Sequence, residues 1–426
     1  MTKARRLRDA GVIAALVFLT ACGGDPEYVP SSIDMGTAVV VADVDGDGRA
    51  DVLSLVHHFG EPPVQGVLTV QRQTARGAFA AAERYIVGCY PWAMVLADVD
   101  GDGHPDLVVT DVSYSNCSDP SARKALYLLR QDPARPGRFL APQKLVQDVY
   151  SYHAAVADLN GDGAPDIAFG QRIGTDTRLA VLYQDTARRG SFMAPVVVAA
   201  PSYVSQIVAG DIDGDGRADL FFTDFDPSSG DPPTAWLAVM TQTERGTLRM
   251  PTWLSSYVGV HTDFLAIHDL DGDGRADLLA NFEPSSALRD DQPFLRTLRQ
   301  GPPPLAWSDP IDLDLGGILG YGATALGDLN QDGRPDVVLA GFWPESGGPL
   351  VAPHFRSRVH LVFGVGGARF AYSSTIDVAP APDAVAIGDL DGDGRNDIVL
   401  HADGAAWWML QSATAPGSFS APQPLP

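Results

Sequence analysis

Seven nine-residue stretches each gather three or four carboxylates in the order D-x-D/N-x-D-G-x-x-D. They read DVDGDGRAD from Asp43, DVDGDGHPD from Asp98, DLNGDGAPD from Asp158 and DIDGDGRAD from Asp211, then DLDGDGRAD from Asp269, DLNQDGRPD from Asp328 and DLDGDGRND from Asp389. Like charges at that density repel, so each stretch calls for a counter-charge. Positions 1, 3, 5 and 9 offer side-chain oxygens and position 7 a backbone carbonyl. Such a set suits a hard cation that tolerates six to eight oxygens at irregular angles, which is calcium; magnesium demands a stricter octahedron, and the Cys/His ligands that favour zinc are missing.

The expected ligands are Asp43, Asp45, Asp47, Asp51 and the carbonyl of Arg49 in the first loop, and Asp98, Asp100, Asp102, Asp106 and the carbonyl of His104 in the second. The third offers Asp158, Asn160, Asp162, Asp166 and Ala164; the fourth Asp211, Asp213, Asp215, Asp219 and Arg217; the fifth Asp269, Asp271, Asp273, Asp277 and Arg275. The sixth offers Asp328, Asn330, Asp332, Asp336 and Arg334, and the seventh Asp389, Asp391, Asp393, Asp397 and Arg395. Glycines at positions 4 and 6 allow positive φ. Apolar residues at positions 2 and 10, such as Val44 and Val52, are expected to fasten the loop into the blade. The sixth loop is the weakest copy, with Gln331 at position 4 and Asn330 at position 3. An EF-hand is not expected, because the ninth residue is Asp, position 12 is not Glu, and strands flank the loop.

These loops must be held by something, and the flanking sequence repeats with them. The first aspartates are spaced 55, 60, 53, 58, 59 and 61 residues apart. Each repeat carries four short runs rich in β-branched and aromatic residues: one before the motif (AVVVAD), one after it (DVLSLV), a third (VLTVQRQ, ALYLLRQD) and a fourth after a Gly-rich turn (RGSFMAPVVV). Such runs between turn signals read as strands. Four strands repeated radially give an all-β fold, a seven-bladed β-propeller of four-stranded blades with a calcium-binding loop in each. The residue before each first Asp is Ala42, Ala97, Ala157, Gly210, His268, Gly327 or Gly388, so six of seven are tiny, as crowding around a central axis requires. His268 is expected to be a packed or solvated variant. Both end repeats are ordinary, which disfavours a capped solenoid. Only Asp25 to Met35 offers an extra strand to close the ring.

The N-terminus is set apart from this pattern. Lys3, Arg5, Arg6 and Arg8 precede an apolar run from Gly11 to Ala21, too short to span a bilayer as a helix. It ends Leu19-Thr20-Ala21-Cys22, which resembles a bacterial lipobox. We expect residues 1–21 to be a lipoprotein signal peptide, Cys22 the lipidated first residue, 22–36 a tether and 37–426 the propeller. The destination is the bacterial cell envelope, outer membrane or cell surface, with membrane contact only through the lipid. The chain from Cys22 holds 26 basic and 52 acidic residues, which disfavours nucleic acid and anionic lipid as partners. The seven motifs account for 26 of those acidic residues, so the excess is ligand charge, and seven Ca²⁺ would take the net charge from −26 to −12.

The motifs, the GSFSAP-like outer run and the seven-fold count resemble the FG-GAP/VCBS repeat proteins, whose best-known member is the integrin alpha-subunit propeller. The resemblance covers essentially the whole chain after Cys22. It implies the propeller fold and calcium, says little about function, and by analogy places ligands on the face away from the calcium loops.

That opposite face carries long, unlike loops between strands two and three and between blades. Tyr90, Trp92, Tyr150, Tyr152, Tyr203, Tyr257 and Tyr321 fall there as a candidate ligand face. Folding a hairpin at the second motif brings Cys89 and Cys117 to that end, and a disulfide between them is expected in an exported chain. No nucleophile elbow, zinc motif or phosphate loop occurs; among the histidines only His57-His58 and His153 invite inspection. The leading expectation is a non-catalytic binding, adhesion or scaffold module for an unknown protein or glycan. The alternative is a carbohydrate-active protein, a polysaccharide lyase-like enzyme or a lectin, on the same scaffold.

Overall fold

The computed structural model describes residues 33–59, 65–112, 124–173, 176–226, 234–258, 260–284, 294–301, 306–315, 323–344, 355–379 and 382–425. The expectations for residues 1–32, Cys117 and Tyr321 lie outside them.

Each repeat forms one four-stranded antiparallel sheet, and seven such sheets make a seven-bladed β-propeller. Blade one comprises Ile33–Ala42, Asp51–Phe59, Gly66–Gln71 and Glu83–Ile86; blade four comprises Val204–Gly210, Asp219–Asp226, Thr234–Met240 and Thr252–Val258. Blade seven comprises Ala384–Gly388, Asp397–Ala402, Ala405–Met409 and Gln423–Pro424. Second strands are covered on both faces by neighbouring blades, so Asp106–Asp111 and Asp397–Ala402 are buried throughout. Outer strands show the alternation of a half-solvated edge, as in Ile311–Asp314.

The register is the same in every blade. The residue before the first Asp pairs with the ninth: Ala42 with Asp51, Ala97 with Asp106, Ala157 with Asp166, Gly210 with Asp219, His268 with Asp277, Gly327 with Asp336 and Gly388 with Asp397. Each motif is therefore the hairpin loop between strands one and two, and all seven lie on one face.

The crowding inferred from small residues is visible. A Cβ on Gly388 would meet Val41 Cγ1 at 2.4 Å, and one on Gly327 would meet Ile387 Cγ2 at 2.9 Å. His268 is accommodated because its Nδ1 lies 3.0 Å from the carbonyl oxygen of Asp269, at its own loop. The described part of the Asp25–Met35 segment adds no strand to blade seven; Ile33, Asp34 and Met35 pair with Phe59, His58 and His57 inside blade one. Every sheet is built from its own repeat. The ring closes by packing: one apolar cluster joins Val39, Val40 and Leu53 of blade one to Val385, Ile398 and Leu400 of blade seven. Each such fully buried side chain contributes about 1.5–3 kcal/mol.

Candidate metal centres

The hairpin loop folds back on its own carboxylates. In blade one, Asp43 Oδ1 accepts from the amides of Gly46 (2.8 Å) and Asp47 (3.1 Å), and Oδ2 from Gly48 (2.8 Å). The backbone reaches this geometry through Gly46 (φ 75°) and Gly48 (φ 86°), the left-handed region that glycine enters without strain. In blade six Gln331 adopts φ 60° in place of that first glycine, and its Nε2 donates to Gly394 O of blade seven at 3.3 Å.

Oxygens of three carboxylates lie within 4.8 Å of one another in five loops. These are Asp43, Asp45 and Asp51; Asp98, Asp100 and Asp106; Asp211, Asp213 and Asp219; Asp269, Asp271 and Asp273; and Asp389, Asp391 and Asp397. Two oxygens about 2.4 Å from a central calcium ion stand roughly that far apart. Asp100 Oδ1 is buried with no hydrogen-bond partner at the cluster, the kind of oxygen a bound cation would satisfy. The donor set fits a divalent cation. Blades three and six, with Asn160 and Asn330 at position 3, bring fewer carboxylates together.

The expected ligands divide by role. The ninth aspartate is buried in all seven blades and accepts at least two backbone amides, three at Asp106 and Asp219. Asp51 Oδ2 takes Val44 N at 3.0 Å and Oδ1 takes Gln73 N at 2.7 Å; Asp219 takes Ile212 N at 3.0 Å and Gln242 N at 2.7 Å. Burial pushes the carboxyls of Asp51, Asp106, Asp166, Asp219, Asp277, Asp336 and Asp397 up to about 6, against the lowering effect of those amides. Asp45, Asp100 and Asp213 at position 3 are also raised, by burial first and then by the neighbouring Asp47, Asp102 or Asp215.

The fifth aspartate joins a converging group only in blade five. Its other engagement is with the side chain two residues on: Asp47 pairs with Arg49, Asp215 with Arg217, Asp273 with Arg275, Asp332 with Arg334 and Asp393 with Arg395. The arginine supplies part of the missing counter-charge. The expectation had used position 7 only for its carbonyl, and the recurring GDGR was the signal for this second role.

The loops of blades one, two and three are also covered by the next blade. A Cβ on Gly137 would meet Asp45 Cβ at 2.7 Å, one on Gly190 would meet Asp100 Cβ at 3.0 Å, and one on Gly246 would meet Asn160 O at 1.6 Å. The turns at Gly137, Gly190 and Gly246 thus close over the loop of the preceding blade.

On the opposite face, Trp92 and Tyr152 lie 4.6 Å apart and Tyr203 is 6.1 Å from Tyr152, a row across blades two, three and four. Trp92 is 9% exposed, and its Nε1 is buried without a hydrogen-bond partner. Tyr90 is buried edge-on against His57, ring centroids 5.2 Å apart, and so packs the frame. His153 is buried as well. Tyr150 and Tyr257 stand on strands, but their side chains lie outside the description. Two aspartates not anticipated shape this face. Asp111 Oδ2 accepts from Cys89 N (2.6 Å) and Tyr90 N (3.0 Å), and Asp224 Oδ1 from Ser202 N (2.8 Å) and Tyr203 N (2.9 Å). Cys89 is buried and disulfide-bonded.

The FG-GAP-like repeat profile matches residues 158–222 and 328–400, and the FG-GAP repeat profile matches 90–111. Integrin alpha-PS2 of Drosophila melanogaster is 27% identical over 192 residues, covering 41% of this chain and 13% of that protein, so the match spans a small part of its relative. Among solved structures, the exotype rhamnogalacturonan lyase YesX aligns at TM-score 0.47 and 12% identity, over 92% of this chain and 75% of its own. The Bacillus licheniformis rhamnogalacturonan lyase PL11 aligns at TM-score 0.42 and 14% identity, over 92% and 74%. Matched repeats, the integrin alpha relative and seven four-stranded blades agree: the chain is an FG-GAP repeat β-propeller protein.

Proposed function

We propose that this chain is a calcium-stabilised, lipid-anchored propeller serving as a non-catalytic binding or scaffold module at the bacterial cell envelope. The observation that carries the reading is the division within each loop. In five loops the first and third carboxylates converge, joined in four of them by the ninth, and the ninth is also fixed between strands by backbone amides. A cation held there fastens a hairpin in place, and repetition around the ring argues for a frame role. Calcium, when bound, supplies the counter-charge that the aspartates lack, with one ion per blade as the upper count. The ligands would be the residues at positions 1, 3, 5 and 9 and the carbonyl at position 7. Exported modules of this kind hold calcium at about 10⁻⁴–10⁻³ M, suited to the cell exterior. The disulfide at Cys89 supports the same compartment. Cys22 would carry the lipid, and its replacement by Ser should release the protein from membranes; persistence there would contradict the anchor.

Partner binding is assigned to the face away from the loops, at Trp92, Tyr152 and Tyr203. A carbohydrate-active role is the second reading, favoured by that row of rings, which suits stacking on a sugar. A glycan array run beside a pull-down from envelope extract separates the two. Capture of a protein that Tyr203→Ala abolishes supports the first; capture of one glycan class that the same variant abolishes supports the second. Capture that is indifferent to Tyr152→Ala and Tyr203→Ala overturns the assigned face.

A further inference from the structure

Where the third strand leaves the sheet, six blades place a glutamine: Gln73, Gln131, Gln184, Gln242, Gln300 and Gln411, with Gly364 in blade six. The backbone amide of each donates to the ninth aspartate of its own loop. Five of the side chains then cross the seam to the loop of the preceding blade. Gln131 Nε2 donates to Val44 O at 3.0 Å, Gln184 Nε2 to Val99 O at 2.8 Å, Gln242 Nε2 to Asp158 O at 2.9 Å and Gln411 Nε2 to Leu329 O at 2.7 Å. Gln73 Nε2 donates to Leu390 O. All five glutamines are buried, where an amide hydrogen bond is strengthened by the low dielectric.

The acceptor is informative. Val44 O, Val99 O, Leu329 O and Leu390 O belong to the peptide that leads directly into the third residue of the motif, Asp45, Asp100, Asn330 or Asp391. Four of the glutamines therefore hold the ninth ligand of their own loop with the backbone and the third ligand of the adjacent loop with the side chain. Gln242 instead holds the carbonyl of Asp158, the first ligand of its neighbour. Linked this way, the loops of blades six, seven, one, two, three and four form one run. The run stops on both sides of blade five. Gln300 makes no cross-seam bond among the described residues, and Gly364 has no side chain to offer.

We infer that these glutamines are positioning residues that couple adjacent cation loops, so that six loops fill as a linked run and the loop of blade five fills independently. The inference rests on the calcium reading above. Filling one loop fixes its ninth aspartate, which fixes the glutamine backbone and with it the peptide at the neighbour's third ligand or, for Gln242, at its first. Coupling of this kind is reciprocal and acts between nearest neighbours.

The test is a calcium titration of the full chain against a competing chelator. Gln411→Met and Gln300→Met keep side-chain length and the backbone amide but lose the side-chain donor; Gln131→Met repeats the test at another seam. Gln411→Met and Gln131→Met should flatten the titration and weaken half-saturation about fivefold, while Gln300→Met should stay within about twofold of the parent. Equal titrations for Gln411→Met and Gln300→Met, with calcium still bound, would overturn the coupling alone. A parent chain that binds no calcium would overturn the calcium reading, and the inference with it.

Discussion

Gln73 in the first blade donates its side-chain amide to the backbone carbonyl of Leu390 in the last, 317 residues away along the chain. Beside it, Arg76 Nη2 lies 3.1 Å from Asp391 Oδ1. Among the described residues the propeller therefore closes through side chains and packing across an ordinary seam, without a strand borrowed from the other end. Gln73→Ala leaves a buried carbonyl unpaired and should lower stability by about 1–3 kcal/mol. Arg76→Ala removes an exposed pair and should change it by less than about 1 kcal/mol. Chemical denaturation of the two variants checks the ranking.

The positions within a loop should separate in the same way. Asp219 is 0% exposed and accepts two buried amides, so Asp219→Ala should cost about 2–5 kcal/mol even in chelator. Asp215 is partly exposed and pairs with Arg217. Asp215→Ala should leave the chelated protein within about 1 kcal/mol of the parent but remove part of the calcium-induced gain. Melting each variant with and without calcium tests the split.

Glycines that look alike in sequence should differ in cost. Gly214 has φ 76° with nothing within 4 Å of an added Cβ, so Gly214→Ala should cost about 1–2 kcal/mol of backbone strain alone. Gly246 has φ 70°, and its added Cβ would sit 1.6 Å from Asn160 O of the neighbouring blade. Gly246→Ala should cost at least about twice as much, because backbone must move. Equal losses by denaturation would contradict the close approach of that turn to the loop.

Acidity should act in opposite directions with and without calcium. The ninth aspartates stand at about 6 in the folded chain against an ordinary value of 3.8, so the folded state holds protons more tightly than the unfolded state. In chelator their contribution to stability is full below about pH 4 and is lost as pH rises through 6. The melting temperature of chelated protein should therefore carry a falling component between pH 4 and 7. With calcium the same carboxylates serve the ion, and the component should reverse. Melts across that range in both conditions give the answer.

Much of this was written plainly in the chain. Seven motifs at near-equal spacing and four β-rich runs per repeat determine blade count, strand order and the face on which the loops lie. The tiny residues before Asp98 or Asp389 announced the crowded axis, which Gly388 against Val41 realises at 2.4 Å. The inter-blade glutamine was harder to see, although it stands at or next to the end of the aligned third runs VLTVQRQ, ALYLLRQD and AWWMLQS. It stands 22 residues after Asp51, 25 after Asp106, 18 after Asp166 and 14 after Asp397, because the loop between strands two and three varies in length. No fixed-offset motif captures a residue placed by sheet register. Asp111 and Asp224 were hidden for a related reason: their partners, Cys89 and Tyr203, belong to connectors whose approach depends on how blades pack. Of the aromatic positions, Trp92, Tyr152 and Tyr203 come together, while Tyr90 turns into the frame against His57.

The central claim is that calcium holds the hairpins of this propeller, and thermal unfolding in chelator and in millimolar calcium tests it most directly. Chelation should lower the melting temperature markedly, and added calcium, in preference to magnesium, should restore it. A melting temperature that is the same in chelator and in calcium would contradict the account.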